Sequence, residues 1–275
     1  MQAVVITGLA NGIGREVARL LAQSKVPVAG FDVDAGGVES LKKELEEAGC
    51  DHLLMTLDIT DRPGILKFRD QVLEKFGRVD AVLSNVGVDC FGPFEELDLK
   101  KALKWLEINV IGAAAIFQAF LPSMRENRSG KLVALSSMVG QLPFPFDSIY
   151  SASKYAIEGL AACLRLEVEP FGIRVALIEP AQVSTSFAAK IHKLPPEGSP
   201  YRERAIRFIE RDKVLVSRGS SPAQAAAVIV KVINSKNPKF FNAITLKDRV
   251  FMSLNKVLPY KMRDAILLRH MDIRV

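Results

Sequence analysis

The sequence predicts an α/β fold: one doubly wound domain built on a mainly parallel seven-stranded sheet, with helices on both faces. Three observations predict it. Short apolar runs alternate with stretches of helical period along most of the chain. The apolar runs lack the polar alternation of a half-exposed sheet, so both of its faces are covered. No linker, low-complexity tract or internal repeat interrupts the pattern, so residues 1–275 read as a single domain.

The elements follow in order. AVVITG is a short apolar strand, and GREVARLLAQS places Val17, Leu20 and Leu21 on one helical face. PVAGFDVD is the second strand, and VESLKKELEEAG a helix ended by Gly49. HLLMTLDIT is the third strand, followed by GILKFRDQVLEKFG, a helix closed by Gly77. VDAVLSNVG, the fourth strand, leads through an aromatic loop to a long helix over about 99–126. KLVALSS is the fifth strand, SIYSASKYAIEGLAACLRLEVEPFG a helix stopped at Gly172, and IRVALIEP the sixth strand. The helix SPAQAAAVIVKVINS and the strand FFNAIT complete the alternation. Two segments fall outside it. Residues 187–221 read as a substrate lid, and residues 246–275 as a helical C-terminal extension.

Composition narrows the function classes. Of 275 residues, 49% are apolar and 25% charged, which is ordinary for a globular chain with a sizeable core. Cys50, Cys90 and Cys163 are scattered and match no metal-ligand spacing, so they read as free thiols in a reducing, cytoplasmic setting, and no metal site is expected. The N-terminus runs straight into a strand pattern, with no basic-then-apolar leader. The longest apolar stretch, 110–121, is too short to span a bilayer and contains Gln118, so it reads as a buried helix. The net charge of +6 comes from dispersed residues, which describes a solvated surface rather than a nucleic-acid footprint.

Two motifs carry chemistry. Thr7-Gly8-Leu9-Ala10-Asn11-Gly12-Ile13-Gly14 joins a strand to a helix. Glycines there let the backbone approach a pyrophosphate, and the helix N-terminus offers amides and the positive end of its dipole. Asp32 ends the second strand, where a carboxylate accepts from ribose hydroxyls and repels a 2′-phosphate. No basic residue follows closely, so NAD(H) is preferred over NADP(H). An ordinary capping role is the alternative for Asp32, and Asp34 is eligible for either. The second motif is YSASK, which puts Tyr150 one helical turn before Lys154. A nearby ammonium lowers the pKa of a phenol toward the range useful for acid–base catalysis. A half-exposed helix pair is the bland alternative.

Gly8-x-x-x-Gly12-x-Gly14 together with Tyr150-x-x-x-Lys154 resembles the short-chain dehydrogenase/reductase family, over about residues 3–245. The resemblance implies a Rossmann-type nucleotide-binding domain and an enzyme that moves a hydride between NAD(H) and an alcohol or ketone. It implies that Tyr150 is the general acid/base, that Lys154 tunes it and holds the nicotinamide ribose, and that Ser137, rather than Ser136, bonds the substrate oxygen. Asn109 matches the residue that bends the long helix and holds a water in a proton route. Asp58 and Ile59 match the adenine contacts. Asn85 and Gly87, in Ser84-Asn85-Val86-Gly87, match the stretch beside the cofactor ribose. In Pro180-Ala181-Gln182-Val183-Ser184-Thr185, Val183 matches a backbone contact to the nicotinamide amide, and Thr185 a contact to the same amide or a phosphate.

The loops at the carboxyl ends of the strands frame the substrate. Phe91, Phe94, Gln141, Phe144 and Phe187 are the candidates there, and their apolar character suits a steroid, retinoid or lipid-like secondary alcohol or ketone. The segment IEPAQVSTSF and the long tail are similar to the hydroxysteroid and retinol dehydrogenase branches. An NADP-dependent 3-oxoacyl reductase of fatty-acid type is the rival enzyme, disfavoured by Asp32. A non-catalytic dinucleotide-sensing scaffold is the rival of another class, disfavoured by the complete set of Asn109, Ser137, Tyr150 and Lys154. Small residues, Ala113 to Ala115 and Ala156, Gly159, Ala162 and Cys163, suit close helix pairing in a homodimer or homotetramer. The amphipathic basic tail is expected to fold back on its own domain or a partner rather than lie on a membrane surface.

Overall fold

The computed structural model describes residues 3–89, 91–184 and 195–273. Seven strands form one parallel sheet in the order β3-β2-β1-β4-β5-β6-β7. They are β1 (Ala3–Thr7), β2 (Val28–Asp32), β3 (His52–Thr56), β4 (Val79–Ser84), β5 (Gly130–Leu135), β6 (Ile173–Glu179) and β7 (Phe241–Ala243). Strand order reverses between β1 and β4, and the crevice at their carboxyl ends is where such sheets bind ligands.

Side chains alternate across the sheet and feed two apolar layers. Val4 and Ile6 of β1 join α1 (Gly12–Gln23), α2 (Ala35–Glu47) and α8 (Pro222–Asn234) on one face. Val5 joins α3 (Arg62–Phe76), α5 (Gly112–Glu126) and α6 (Ser148–Val168) on the other. Helices α2 and α3 begin before the first apolar residue that suggested them. Asp34 accepts from Gly37 N–H (3.0 Å) and Asp61 from Gly64 N–H (3.0 Å), so a carboxylate cap sets each start rather than the hydrophobic period.

The predicted long helix is continuous but not uniform. α4 (Leu99–Leu106) passes through a π turn over Glu107–Ile111 into α5. Its 28 residues, Leu99–Glu126, are long and apolar enough to cross a membrane by composition. Here Ala113, Ile116, Phe117, Phe120 and Met124 are buried against the sheet, as in a core helix.

A third apolar cluster covers the carboxyl ends of the strands. α7 (Arg202–Ser217), from within the predicted lid, contributes Ala205, Phe208 and Ile209. The C-terminal extension forms α9 (Leu246–Val257) and α10 (Tyr260–His270), and Met252, Leu267, Met271 and Ile273 are buried in the same cluster. Arg207 and Arg211 tie α7 to this tail by donating to the carbonyls of Asp272 (3.1 Å) and His270 (2.8 Å). The tail therefore folds back over the lid helix.

Gly30 sits in β2 under the turn that follows β1. A Cβ there would lie 2.1 Å from Leu9 Cδ2 and 2.2 Å from the Ile6 carbonyl oxygen. Gly30→Ala is expected to lower stability by about 1–3 kcal/mol through overpacking. Urea denaturation checks this, and an unchanged midpoint would show that the turn repacks freely.

Candidate active site

The glycine turn is shaped by contacts that only small residues permit. Gly8 and Gly12 have φ of 72° and 58°, and a Cβ on Gly14 would lie 2.3 Å from the Gly8 carbonyl oxygen. Asn85 fastens the turn to the end of β4. Its Nδ2 donates to the carbonyls of Thr7 (3.1 Å) and Gly8 (2.8 Å), and its N–H donates to Thr7 Oγ1 (3.1 Å). Asn11, the N-cap residue of α1, makes no side-chain cap bond, so its side chain does not cover the first amides of the helix at Gly12, Ile13 and Gly14. This cradle fits the pyrophosphate of a dinucleotide.

The two strand-end carboxylates divide the work that the sequence left open between them. Asp34 caps α2. Asp32 is turned toward the glycine turn, accepting from Ala10 N–H (3.0 Å) and Asp34 N–H (3.1 Å). Nearby positive charge is already engaged: Arg15 and Arg19 both pair with Glu44, at 2.6 and 2.8 Å. These bonds hold the Glu44 carboxyl down at about 2. Asp58 is exposed and accepts from Thr60 N–H (2.9 Å) and Oγ1 (2.8 Å). Ile59 instead turns into the core, where a Cβ on Gly112 would meet its side chain at 2.6 Å. Val183 bridges Ser220 in parallel, and the bonds of that bridge use Gln182 O and Ser184 N–H, leaving Val183's own amide and carbonyl outside it. Thr185 and Phe187 lie outside the described residues.

Asn109, Ser137, Tyr150 and Lys154 converge at the ends of β4 and β5. Asn109 lies in the π turn, buried. Its Oδ1 accepts from Val88 N–H (2.8 Å), and its Nδ2 donates to Val88 O (2.8 Å) and Ser153 Oγ (3.0 Å). One side chain thus locks the loop after β4 onto α6. Gly87, next to that loop, faces both Asn109 Oδ1 and Lys154 Nζ, each 3.7 Å from where its Cβ would be. Lys154 is 4% exposed, donates from Nζ to Leu135 O (2.8 Å), and places Nζ 5.4 Å from the centre of the Tyr150 ring. It is therefore no half-exposed surface pair. Burial lowers its pKa to about 8, against the opposing pull of Asp89 and Glu158. Ser136 and Ser137 point to different tasks. Ser136 Oγ donates to Glu158 (2.9 Å), whereas Ser137 hydrogen-bonds the Tyr150 phenol.

The side where the sequence expected substrate is aromatic. Phe91 stacks on Phe208 of α7 with centroids 5.0 Å apart, and Phe144 and Phe146 meet the same ring edge-on at 6.5 and 5.9 Å. Phe91 and Phe144 thus hold the lid helix to the body. Phe94 is not brought into this group: it is 65% exposed in a short turn. Gln141 donates to the buried carboxylate of Glu179 and lines a cavity of about 120 Å³ with Leu142, Met252, Asn255, Leu258 and Arg263.

Sequence reasoning gave no role to three interacting carboxyl groups, two of which act on the phenol. Asp89 follows β4, Asp147 is the N-cap residue of α6, and Asp212 lies on the buried face of α7 with Phe208 and Ile209. Burial, then the charge of Asp89, raises the pKa of both Asp147 and Asp212, the latter to about 6. Burial, then Asp89 and Asp147, also raises the Tyr150 phenol well above 10, with Ser137 opposing. Only Asp147 carried a readable signal: it stands one turn before Tyr150, on the same helix face.

Lys154 has a native pKa near 8 against an ordinary 10.5. The unfolded chain therefore holds the extra proton between those values, and this group's contribution to stability rises with pH across that window. Without cofactor, Lys154→Met is expected to be most favoured relative to wild type below pH ~8. It should lose about 2–3 kcal/mol of that relative stability by pH ~10.5. Urea titrations across this range measure it, and a flat difference would show an ammonium that is not desolvated.

Comparison with known proteins agrees with this geometry. A family profile described as short chain dehydrogenase matches residues 2–195. The 3-ketodihydrosphingosine reductase of Bacteroides thetaiotaomicron is 30% identical over 272 residues, covering 97% of this chain and 96% of that protein. The human 17-beta-hydroxysteroid dehydrogenase type 1 is 30% identical over 249 residues, covering 86% of this chain and 75% of that protein. A short-chain dehydrogenase structure from Streptomyces avermitilis superposes with a TM-score of 0.80 at 29% identity, over 99% of this chain and 96% of that one. With its parallel seven-stranded sheet, glycine cradle and Tyr150–Lys154 pair, the chain belongs to the short-chain dehydrogenase family of oxidoreductases.

Proposed function

We propose that this enzyme reduces a lipid-like ketone to a secondary alcohol with NADH, using Tyr150 as the proton donor. The observation that carries the reading is the phenol itself: hydrogen-bonded to Ser137, beside the Lys154 ammonium, under an aromatic lid. The bound dinucleotide supplies the hydride; the chain supplies everything else. Ser137 and Tyr150 hold the carbonyl oxygen, where negative charge develops. Burial and the neighbouring carboxylates keep the phenol protonated, which suits an acid better than a base and favours the reductive direction. Lys154, mostly charged near pH 7, stabilises the phenolate left once the proton has moved.

The choice of NADH rests on Asp32 and on Glu44. Asp32 presents a fixed negative charge at the end of β2, and Arg15 is occupied by Glu44, Ser40 and Ala10 O rather than available to a 2′-phosphate. Among apolar ketones, the lipid class is favoured by the match to the 3-ketodihydrosphingosine reductase. It spans nearly the whole chain, and so includes α7, α9 and α10, which frame the substrate side. A homodimer paired through α5 and α6 accompanies this reading. Gly159 has open space where a Cβ would be, and Cys163 and Leu166 are exposed on the outer face of α6.

Tyr150→Phe is expected to lower kcat for a long-chain ketone by about 10²–10⁴ while NADH binding persists. Turnover followed by loss of NADH absorbance, with NADPH in parallel, tests both the acid and the cofactor. Turnover that survives the substitution would end the proposal. Light scattering in solution should give the mass of a dimer or tetramer, and a monomer would remove the pairing.

A further inference from the structure

Helix α9 has two apolar faces, and the fold uses only one. Its inner face carries Met252, 7% exposed, into the cluster that also holds Phe91, Phe144 and Phe208. On the other side Leu246, Val250, Leu254 and Val257 recur at helical spacing and span about 80° of the helix circumference. All four are exposed, Val257 by 78%. α10 repeats the arrangement. Leu267 is buried in the same cluster, while Tyr260, Met262 and Ile266 are exposed. Positions 246–266 thus hold seven of the eighteen large apolar side chains that are exposed among the described residues. Single exposed apolar residues are ordinary on any surface, but a patch of them with a polar rim marks a binding face.

The charges beside the stripe indicate what covers it. Lys247 and Arg249 are exposed and flank it, one on each side of α9, and Lys261 and Arg269 are exposed on α10. None of the four forms an ion pair among the described residues. The acidic residues of these two helices are engaged elsewhere. Asp248 accepts from Thr245 N–H (3.2 Å) in the capping box of α9, and Asp264 faces Arg263 at 3.9 Å. The outward surface is therefore apolar with a basic rim. A second copy of the chain presents the same cations, so pairing two such faces sets like charges against each other. An anionic bilayer complements both features: its headgroups attract the cations, and its acyl boundary takes the apolar stripe.

We propose that the outward faces of α9 and α10 form a docking surface for an anionic lipid bilayer, with Leu246, Val250, Leu254 and Val257 entering the acyl boundary and Lys247 and Arg249 on the headgroups. The C-terminal extension does fold back on its own domain, but with its inner face alone. Arg207 and Arg211 of α7 tie it down through the carbonyls of Asp272 and His270, so a fixed element presents the outward face. The same two helices cover the lid cluster from outside, which brings Phe91, Phe144 and Phe208 to the side of the molecule that meets the bilayer. On the ketone-reducing reading the substrate is itself a bilayer solute, and docking carries the site to its source. The surface goes beyond that reading and does not depend on it.

The test is co-sedimentation of the full chain with sucrose-loaded vesicles of phosphatidylcholine, alone or with roughly one third phosphatidylserine. The anionic vesicles are expected to bind about tenfold or more tightly than the neutral ones, and about 1 M salt to remove that advantage. Leu254→Ser combined with Val257→Ser should weaken binding by about tenfold or more, because two side chains no longer leave water. Lys247→Gln combined with Arg249→Gln should weaken it by about tenfold or more on the anionic vesicles only. Leu66→Ser, at an exposed apolar position on α3, should change nothing. All these positions are exposed, so the variants are expected to keep the wild-type urea midpoint. No sedimentation with either vesicle, equal binding to both, or variants that bind like wild type would overturn the surface. So would light scattering in which wild type self-associates without vesicles and the Leu254→Ser/Val257→Ser variant does not, since the face then pairs copies. Wild type that binds anionic vesicles yet reduces no ketone would instead sink the reductase reading and leave the docking surface standing.

Discussion

Lys154 carries its charge into a place that is 4% exposed, and desolvating an ammonium costs several kcal/mol unless neighbours offset it. The offsets present are specific: the Leu135 carbonyl at 2.8 Å, the face of the Tyr150 ring, and the fields of Asp89 and Glu158. They come from the end of β5, from α6 itself and from the loop after β4. The Leu135 carbonyl and Asp89 are not in place until the sheet has formed and α6 has docked on it. The full set of groups that offsets the buried ammonium therefore exists only in the assembled domain, and it also fixes where Lys154 points.

That dependence gives the π turn its purpose. A regular helix from Leu99 to Glu126 has no reason to turn a side chain toward the loop after β4. With one widened turn, Asn109 satisfies both backbone groups of Val88 and bonds Ser153 on α6. Val88 in turn positions Asp89, whose charge reaches Lys154, Tyr150, Asp147 and Asp212. A local departure from helical geometry is thus linked through two hydrogen bonds to the electrostatics of the whole site.

What the amino-acid order disclosed and what it hid divide along sequence distance. Tyr150 and Lys154 stand on one helix, and the glycine turn is contiguous, so fixed spacing announces both. The central strands were legible because they are apolar on both faces. Asp89, Asp147 and Asp212 were not, because they lie on a loop, a helix cap and the lid helix, and only folding brings them together. The aromatic residues shared that fate in part. Phe91 and Phe144 meet Phe208, a residue with no local mark of importance, while Phe94, similar in its surroundings along the chain, stays in solvent. The neutralisation of Arg15 by Glu44 was hidden too. Arg15 and Glu44 stand 29 positions apart on different helices, so nothing local announces their pairing.

An apolar lid and an acidic cluster make opposite demands on water, and their contact explains the proton chemistry better than either does alone. The lid aromatics exclude solvent, which strengthens every electrostatic effect beneath them. In that setting carboxylates near the phenol oppose its ionisation, while the ammonium favours it. Burial, with these carboxylates beside it, holds the proton on the phenol.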